Sequence, residues 1–310
     1  MPMNQDFDEV EWIPKELALK LKDLGLNTLL DIITLPVNTL EELELNRQDL
    51  MGIIRKEVMF LSNASKGSEA FHRAIDGKKI DLGSKSLNEL LNGGVRTGLV
   101  TDFFGASNTG KTQICFQLCV NVQHLDEESG VVFVDSSGTF RPERIIEIAK
   151  NIKLKEDVFK RVMVVKARSV SEQMEVPRRL KRDAPFNVKL LIIDTLTDNF
   201  IFEYQGGERI IERQAKLARH LHDLCSLSIG DDMAVVVTNT VRARVNSEQS
   251  YYEVETGGNV VSQGVHVRVH LSRDTHGLNA KLVQPPIVKP TAYFKIDSRG
   301  IIDNGRYKKR

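Results

Sequence analysis

Four short runs of aliphatic residues, Val131-Val-Phe-Val134, Val162-Met-Val-Val165, Leu190-Leu-Ile-Ile193 and Ala234-Val-Val-Val237, punctuate the middle of the chain. They are continuous rather than alternating, the pattern of strands buried on both faces. Helical periodicity fills the gaps at 142–150, 171–182 and 208–226, and in the last of these Ile210, Leu217, Leu221 and Leu224 form one stripe. The segment Leu99-Val-Thr-Asp-Phe-Phe104, which reads as a short buried strand, precedes a helical stretch from Gln113 to His124, with apolar positions at Ile114, Cys115, Leu118, Cys119 and Val122. Strand–helix alternation of this kind predicts an α/β fold: a mainly parallel sheet, helices on both faces and ligands at the carboxyl ends of the strands. From Val265 to Ile302 the pattern changes to strand-like alternation broken by prolines and turns, which reads as a meander at the sheet edge.

The first sixty residues look different. Residues 11–60 contain no strand-like run. Leu17, Leu21 and Leu24 share a helix face and Gly25 follows as a stop; similar short helical patterns recur at 28–33, 40–45 and 49–60. The polar stretch 62–68 reads as a linker. The expected division is a small all-α domain at 1–61, a linker at 62–78 and an α/β core at 79–310.

Composition narrows the class. The chain is 41% hydrophobic and 27% charged, as expected of a globular protein. No apolar run approaches the roughly 18 residues needed to span a bilayer, and the N-terminus lacks the basic and apolar regions of a signal peptide. The three cysteines make no disulfide framework and read as reduced core residues, so the expected location is cytoplasmic, nucleoid-associated if the source is archaeal. Residues 1–62 carry 12 acidic and 6 basic side chains against a whole-chain charge of +1. Any nucleic-acid surface therefore belongs to the positively charged remainder.

Candidate chemistry concentrates in Gly105, Ala106, Ser107, Asn108, Thr109, Gly110, Lys111 and Thr112, which fit the pattern G-x-x-x-x-G-K-[ST] between the strand at 99–104 and the helix from Gln113. A glycine-rich turn at a helix N-terminus points several N–H groups inward, where a phosphate accepts them. In such a loop Lys111 reaches the β- and γ-phosphates of a nucleoside triphosphate, and the Thr112 hydroxyl joins the Mg²⁺ shell. Asp194, at the end of the run 190–193, is the matching second element, a carboxylate that orients Mg²⁺.

Longer motifs extend the pattern. Gly83-Ser-Lys-Ser-Leu-Asn-Glu-Leu-Leu-Asn-Gly-Gly94, the phosphate loop with Gln113, Gly138-Thr-Phe-Arg-Pro-Glu-Arg144, Asp194-Thr-Leu-Thr197, Glu212-Arg-Gln-Ala-Lys-Leu217 and Val237-Thr-Asn239 occur in that order. Together they resemble the RecA/RadA recombinases, most closely the archaeal–eukaryotic branch with its N-terminal helix–hairpin–helix domain. The resemblance runs from about residue 11 to 303. It implies a RecA-like ATPase core that binds DNA, with ATP and Mg²⁺ as cofactors and Arg144 stacked on the adenine.

Departures from the family pattern refine this expectation. Ser137 stands where the family has the glutamate that polarises the attacking water. A serine hydroxyl can hydrogen-bond water but cannot take its proton near neutral pH. Asp135, two residues back, would share a strand face with Ser137 and offers a partial rescue. Thr240 replaces a glutamine that couples nucleotide to DNA in the family. The loop from Arg242 to Gly258 keeps Gly257 and Gly258 and carries Arg242, Arg244, Tyr251 and Tyr252, a set suited to backbone contact and base stacking; a mobile polar loop is the plainer alternative. In the other DNA loop, 203–209, Gly207 sits where the family usually has arginine, and Arg209 is the nearest substitute.

The N-terminal segment lacks the hairpin glycine before Trp12-Ile-Pro14, which with its acidity favours protein docking or a purely structural role over DNA contact. The family's Phe-x-x-Ala polymerisation element falls on residues 64–67 by position, whereas the matching letters, Phe71 and Ala74, come seven residues late. The clusters 178–182 and 306–310 read as solvated basic surface. Two functions fit: a slow-hydrolysing, nucleotide-gated paralogue or mediator of homologous recombination and DNA repair, and a full DNA-dependent ATPase that forms filaments on single-stranded DNA. The first is favoured. The expected partners are single-stranded DNA and either a RadA-type recombinase or further copies of this chain; double-stranded DNA is left open.

Overall fold

A computed structural model of the protein describes residues 15–27, 31, 77–126, 128–154, 156–184, 187–245 and 251–305. Two units divide the chain, residues 1–77 with 176–184 and residues 78–175 with 185–310. In the first, helix α1 (Lys15–Asp23) buries Ala18 and Leu21. Gly25 ends it with φ +77°, as its N–H donates to Lys22 O and the N–H of Leu26 to Leu21 O, the paired bonds of a glycine stop. The expected stripe is corrected at Leu24, which is 45% exposed because the helix has already turned there. The cluster 178–182 is corrected at Lys181, whose Nζ lies 2.7 Å from Asp31 Oδ1 with both side chains largely covered, while Arg179 and Arg182 are exposed as expected. Apart from Asp31, the helical stretches expected at 28–33, 40–45 and 49–60, the segment Trp12 to Pro14, the linker up to residue 76, both Phe-x-x-Ala positions and the tail 306–310 lie outside the described residues.

The second unit opens with a small ribbon, β1 (Lys79–Ile80) against β2 (Val95–Arg96), connected through α2 (Lys85–Leu90). The alternating core follows in the order β3 (Val100–Gly105), α3 (Lys111–Asn121), β4 (Gly130–Asp135), α4 (Pro142–Asn151), β5 (Val162–Lys166), α5 (Val170–Arg182), β6 (Val188–Asp194), α6 (Asp198–Glu203), α7 (Ile210–Gly230) and β7 (Ala234–Val245). The chain closes with β8 (Tyr251–Glu255), α8 (Gly258–Gly264), β9 (Val267–Asp274), β10 (Gly277–Gln284), β11 (Ala292–Asp297) and β12 (Gly300–Asp303).

Hydrogen bonding orders the main sheet β12-β11-β10-β9-β3-β7-β6-β4-β5, with β8 attached to β7. The pairs from β9 through β3, β7, β6 and β4 to β5 are parallel, and β9 to β12 form the antiparallel meander expected at the edge. Every residue of β3 and β4 is buried, which explains the continuous apolar run of β4, while β3 carries Thr101 and Asp102 inside as well. Helix α3 is buried on nearly all sides rather than along one stripe. It carries Gln117 and Asn121 inside because they bond to each other (3.0 Å), to the N–H of Ile301 (2.9 Å) and to Asp81 O (2.8 Å).

Phe133 of β4 sits at the centre of this layer. Its ring is fully buried, stacked on Phe116 at 5.9 Å and edge-on to Phe140 at 5.0 Å. Phe140 belongs to the turn that carries Ser137 and Thr139, so the aromatic cluster also fixes the floor of the site. Truncating Phe133→Ala should lower stability by about 3–5 kcal/mol. Urea denaturation followed by tryptophan-independent far-UV circular dichroism checks this; a loss below about 1 kcal/mol would contradict the packing assignment.

Candidate nucleotide site

The loop between β3 and α3 has the backbone its sequence demands. Gly105 (φ +156°), Asn108 (φ +62°) and Gly110 (φ +98°) adopt conformations that turn successive N–H groups toward one concavity. A Cβ on Gly105 would lie 2.0 Å from Leu271 O, so glycine is required there by packing against β9 as well. Thr109 is buried and donates to Ala106 O at 2.8 Å, closing the loop, while Ser107 and Asn108 are exposed at its rim. Lys111 Nζ donates to Gly105 O (2.8 Å) and Ala106 O (2.7 Å). Burial pushes its ammonium below the ordinary lysine range, and the nearby Asp194 charge offsets part of that.

Asp194 is the hub. Its Oδ2 accepts from Thr112 Oγ1 at 2.7 Å and from Thr139 Oγ1 at 3.4 Å, and its Oδ1 accepts from Thr238 Oγ1. Burial raises its pKa, and the Thr238 and Thr112 bonds oppose the rise. Thr112 and Asp194, placed together here, offer a hydroxyl and a carboxylate oxygen, a donor pair that suits a hard cation such as Mg²⁺. Thr238 was not legible as a partner of Asp194, because the sequence does not say that β7 lies beside β6.

The turn after β4 settles what Asp135 does. The strand ends at Asp135, so Asp135 and Ser137 do not share a strand face as expected. The carboxylate is instead committed to the turn: Oδ1 accepts from Thr139 N (3.0 Å) and Oδ2 from Phe140 N (3.2 Å). A group holding two backbone N–H bonds is poorly placed to take a proton from water. Ser137 itself is exposed, its Oγ 3.0 Å from Thr139 Oγ1 and 3.4 Å from Asp194 O.

Arg144 and Gln113 come together at the start of their helices, Arg144 Nε donating to Gln113 Oε1 at 2.8 Å. The other guanidinium nitrogens bond Glu147 and the carbonyl of Asp297, so the plane is held from three sides. Proline at the start of α4 fixes the approach of the turn.

The two expected DNA segments take different forms. At 203–209, the Arg209 guanidinium lies 4.6 Å from the Tyr204 ring and bonds Glu203 O at 3.0 Å, so it is folded onto its own loop. The segment from Arg242 is corrected from a loop to a ribbon: Arg242 and Arg244 lie on β7, and Tyr251 and Tyr252 on β8, in the register Arg244↔Tyr252 and Val245↔Tyr251. Apolar Val241, Ala243 and Val245 alternate with Arg242 and Arg244, the period-2 pattern of a strand. Arg242 is exposed. Gly257 is packed rather than open, since a Cβ there would stand 2.4 Å from Val261 Cγ2; Gly258, φ +57°, has nothing within 4 Å.

The base of that ribbon is tied to the nucleotide site. Asn239, next to Thr238, donates to Glu255 Oε1 (3.0 Å) and Thr256 O (2.6 Å) and accepts from Thr197 Oγ1 (2.7 Å). Thr240 reaches Thr256, hydroxyl to hydroxyl, at 3.3 Å.

A family model described as Rad51 matches residues 76–304. The chain belongs to the Rad51 family. It is therefore a RecA-like protein of recombination and repair, from a family that binds ATP with Mg²⁺ and binds DNA. Among the described residues no helix is long and apolar enough to cross a membrane.

This Rad51-family core also buries a charge the sequence reading passed over. Asp102, on β3, is fully buried, and burial pushes its pKa up to about 8 although the Arg268 charge works against the rise. An acid with a raised folded value binds its proton more tightly in the folded state, so stability is fully present below the unfolded value near 4 and is lost as pH rises through about 8. The slope between those limits should reach at most about 1.4 kcal/mol per pH unit. Asp102→Asn should flatten it, as read by urea melts between pH 5 and 8; parallel profiles for the two proteins would refute the assignment.

Proposed function

We propose that this Rad51-family chain is a nucleotide-gated, DNA-binding paralogue or mediator of homologous recombination that binds Mg–ATP and hydrolyses it slowly. Ser137 carries the reading. It stands at the water-activating position, bonded into the Thr139–Asp194 network, with the nearest carboxylate, Asp135, already holding two backbone N–H groups. Loss of a general base typically removes about 10²–10⁴-fold in rate while leaving binding intact.

The geometry and the family membership support the remaining roles proposed here. Residues 105–112 cradle the phosphates, with Lys111 exchanging its loop carbonyls for phosphate oxygens. Gln113 and Arg144 form the adenine side. Thr112 and Asp194 would hold Mg²⁺, which neutralises phosphate charge when bound. Arg209, Arg242, Arg244 and Tyr251 are the proposed contacts to single-stranded DNA, with Gly257 and Gly258 shaping the ribbon's return. The division into a helical unit at 1–61, a linker at 62–78 and the core at 79–310 is retained as part of the proposal, as is action alongside a RadA-type recombinase.

ATP turnover with and without single-stranded DNA, together with light scattering, tests this. The native protein should turn over slowly in both conditions, and Ser137→Glu should raise the rate by about 100-fold or more. Lys111→Ala should abolish nucleotide binding. Strong DNA stimulation with filament scattering by the native protein would overturn the proposal in favour of a full recombinase.

A further inference from the structure

Arg268 stands between two carboxylates that belong to different parts of the core. One is Glu255, at the end of β8 where the ribbon returns, which accepts from the Arg268 guanidinium and also from Asn239 Nδ2 at 3.0 Å. The other is Asp102, on β3 three residues before Gly105 and directly opposite Arg268 in the parallel register. Arg268 Nε lies 3.9 Å from Asp102 Oδ2, beyond hydrogen-bond reach. Neither oxygen of Asp102, nor Arg268 Nε, has a hydrogen-bond partner among the described residues. The guanidinium rests on the Phe104 ring at 4.9 Å, a flat surface over which it can turn. Phe104 in turn stacks on His270, whose Nε2 is 3.3 Å from Glu253 of the same ribbon.

A buried carboxylate left without a hydrogen bond beside an arginine engaged elsewhere is an arrangement with a nearby alternative. A small rotation of Arg268 would close the Asp102 contact at the expense of Glu255. We propose that Arg268 is a positioning residue that couples the β7–β8 ribbon to the phosphate strand β3 by exchanging Glu255 for Asp102. With the ribbon free, Glu255 holds Arg268. When nucleic-acid phosphates draw the ribbon away, Glu255 withdraws, Arg268 closes on Asp102, the acid gives up its proton to solvent to form the ion pair, and the strand that ends in Gly105 is tightened. Linkage makes the effect mutual, so nucleotide in the loop changes the ribbon's affinity by the same factor. Glu255 also receives the Asp194–Thr238–Asn239 chain, so both routes from the nucleotide site meet at one carboxylate.

The inference rests on the ribbon and the loop binding DNA and nucleotide as proposed above. The test measures the affinity of a fluorescent ATP analogue with Mg²⁺ and of a fluorescein-labelled oligo-dT, each alone and with the other at saturation. In the native protein each ligand should change the other's affinity at least about fivefold. Arg268→Gln and the isosteric Asp102→Asn should each keep the separate affinities within about threefold while the coupling factor falls toward one. Native coupling retained in either folded variant overturns the inference, and Asp102→Asn decides alone if Arg268→Gln does not fold. Two ligands that bind the native protein independently also overturn it. Failure of the native protein to bind one of them removes the functional proposal, and this inference with it.

Discussion

A buried carboxylate is costly unless donors surround it, and at Asp194 three separate parts of the core supply them. The hydroxyls of Thr112, Thr139 and Thr238 reach it from the start of α3, from the turn after β4 and from β7. Three loops that are distant in sequence are thereby held at one strand end. Removing water strengthens each of these bonds and raises the cost of losing any one. The same confinement biases the acid toward its neutral form, so a cation at this point would restore the charge that burial suppresses.

Binding and cleavage are physically separable in this arrangement. The phosphate cradle is a backbone feature, determined by glycine conformations and by the packing of β9 behind Gly105. Proton removal from water needs a free base; in the turn after β4 the carboxylate of Asp135 supports the turn and the exposed residue 137 carries a hydroxyl. The aromatic cluster of Phe116, Phe133 and Phe140 keeps the turn in place, so the geometry for holding a triphosphate is retained without that base.

Much of this was legible along the chain. Continuous apolar runs at 131–134 and 190–193 marked central strands, because burial on both faces leaves no polar position to alternate with. The spacing of Gly105, Gly110, Lys111 and Thr112 gave the loop its chemistry, because a phosphate cradle is local and is read by neighbouring residues. The pairing of 241–245 with 251–255 was less visible: the arginines, tyrosines and glutamates of these segments look like a polar loop, and pairing of the two strands gives them regular structure. Within the basic cluster at 178–182, Lys181 misled for a similar reason, since nothing near it in sequence announces Asp31.

The sequence by itself determined the α/β alternation, the glycine-rich loop at 105–112, the aspartate that ends β6 and the serine at position 137, all of which depend on residue type and short spacing. Tertiary structure decided the rest. It set β7 beside β6 so that Thr238 meets Asp194, committed Asp135 to a turn, and placed Arg268 between Asp102 and Glu255. These depend on strand order and register, which arise from how the whole sheet buries its faces, and on the withdrawal of charges from water, which no stretch of sequence contains.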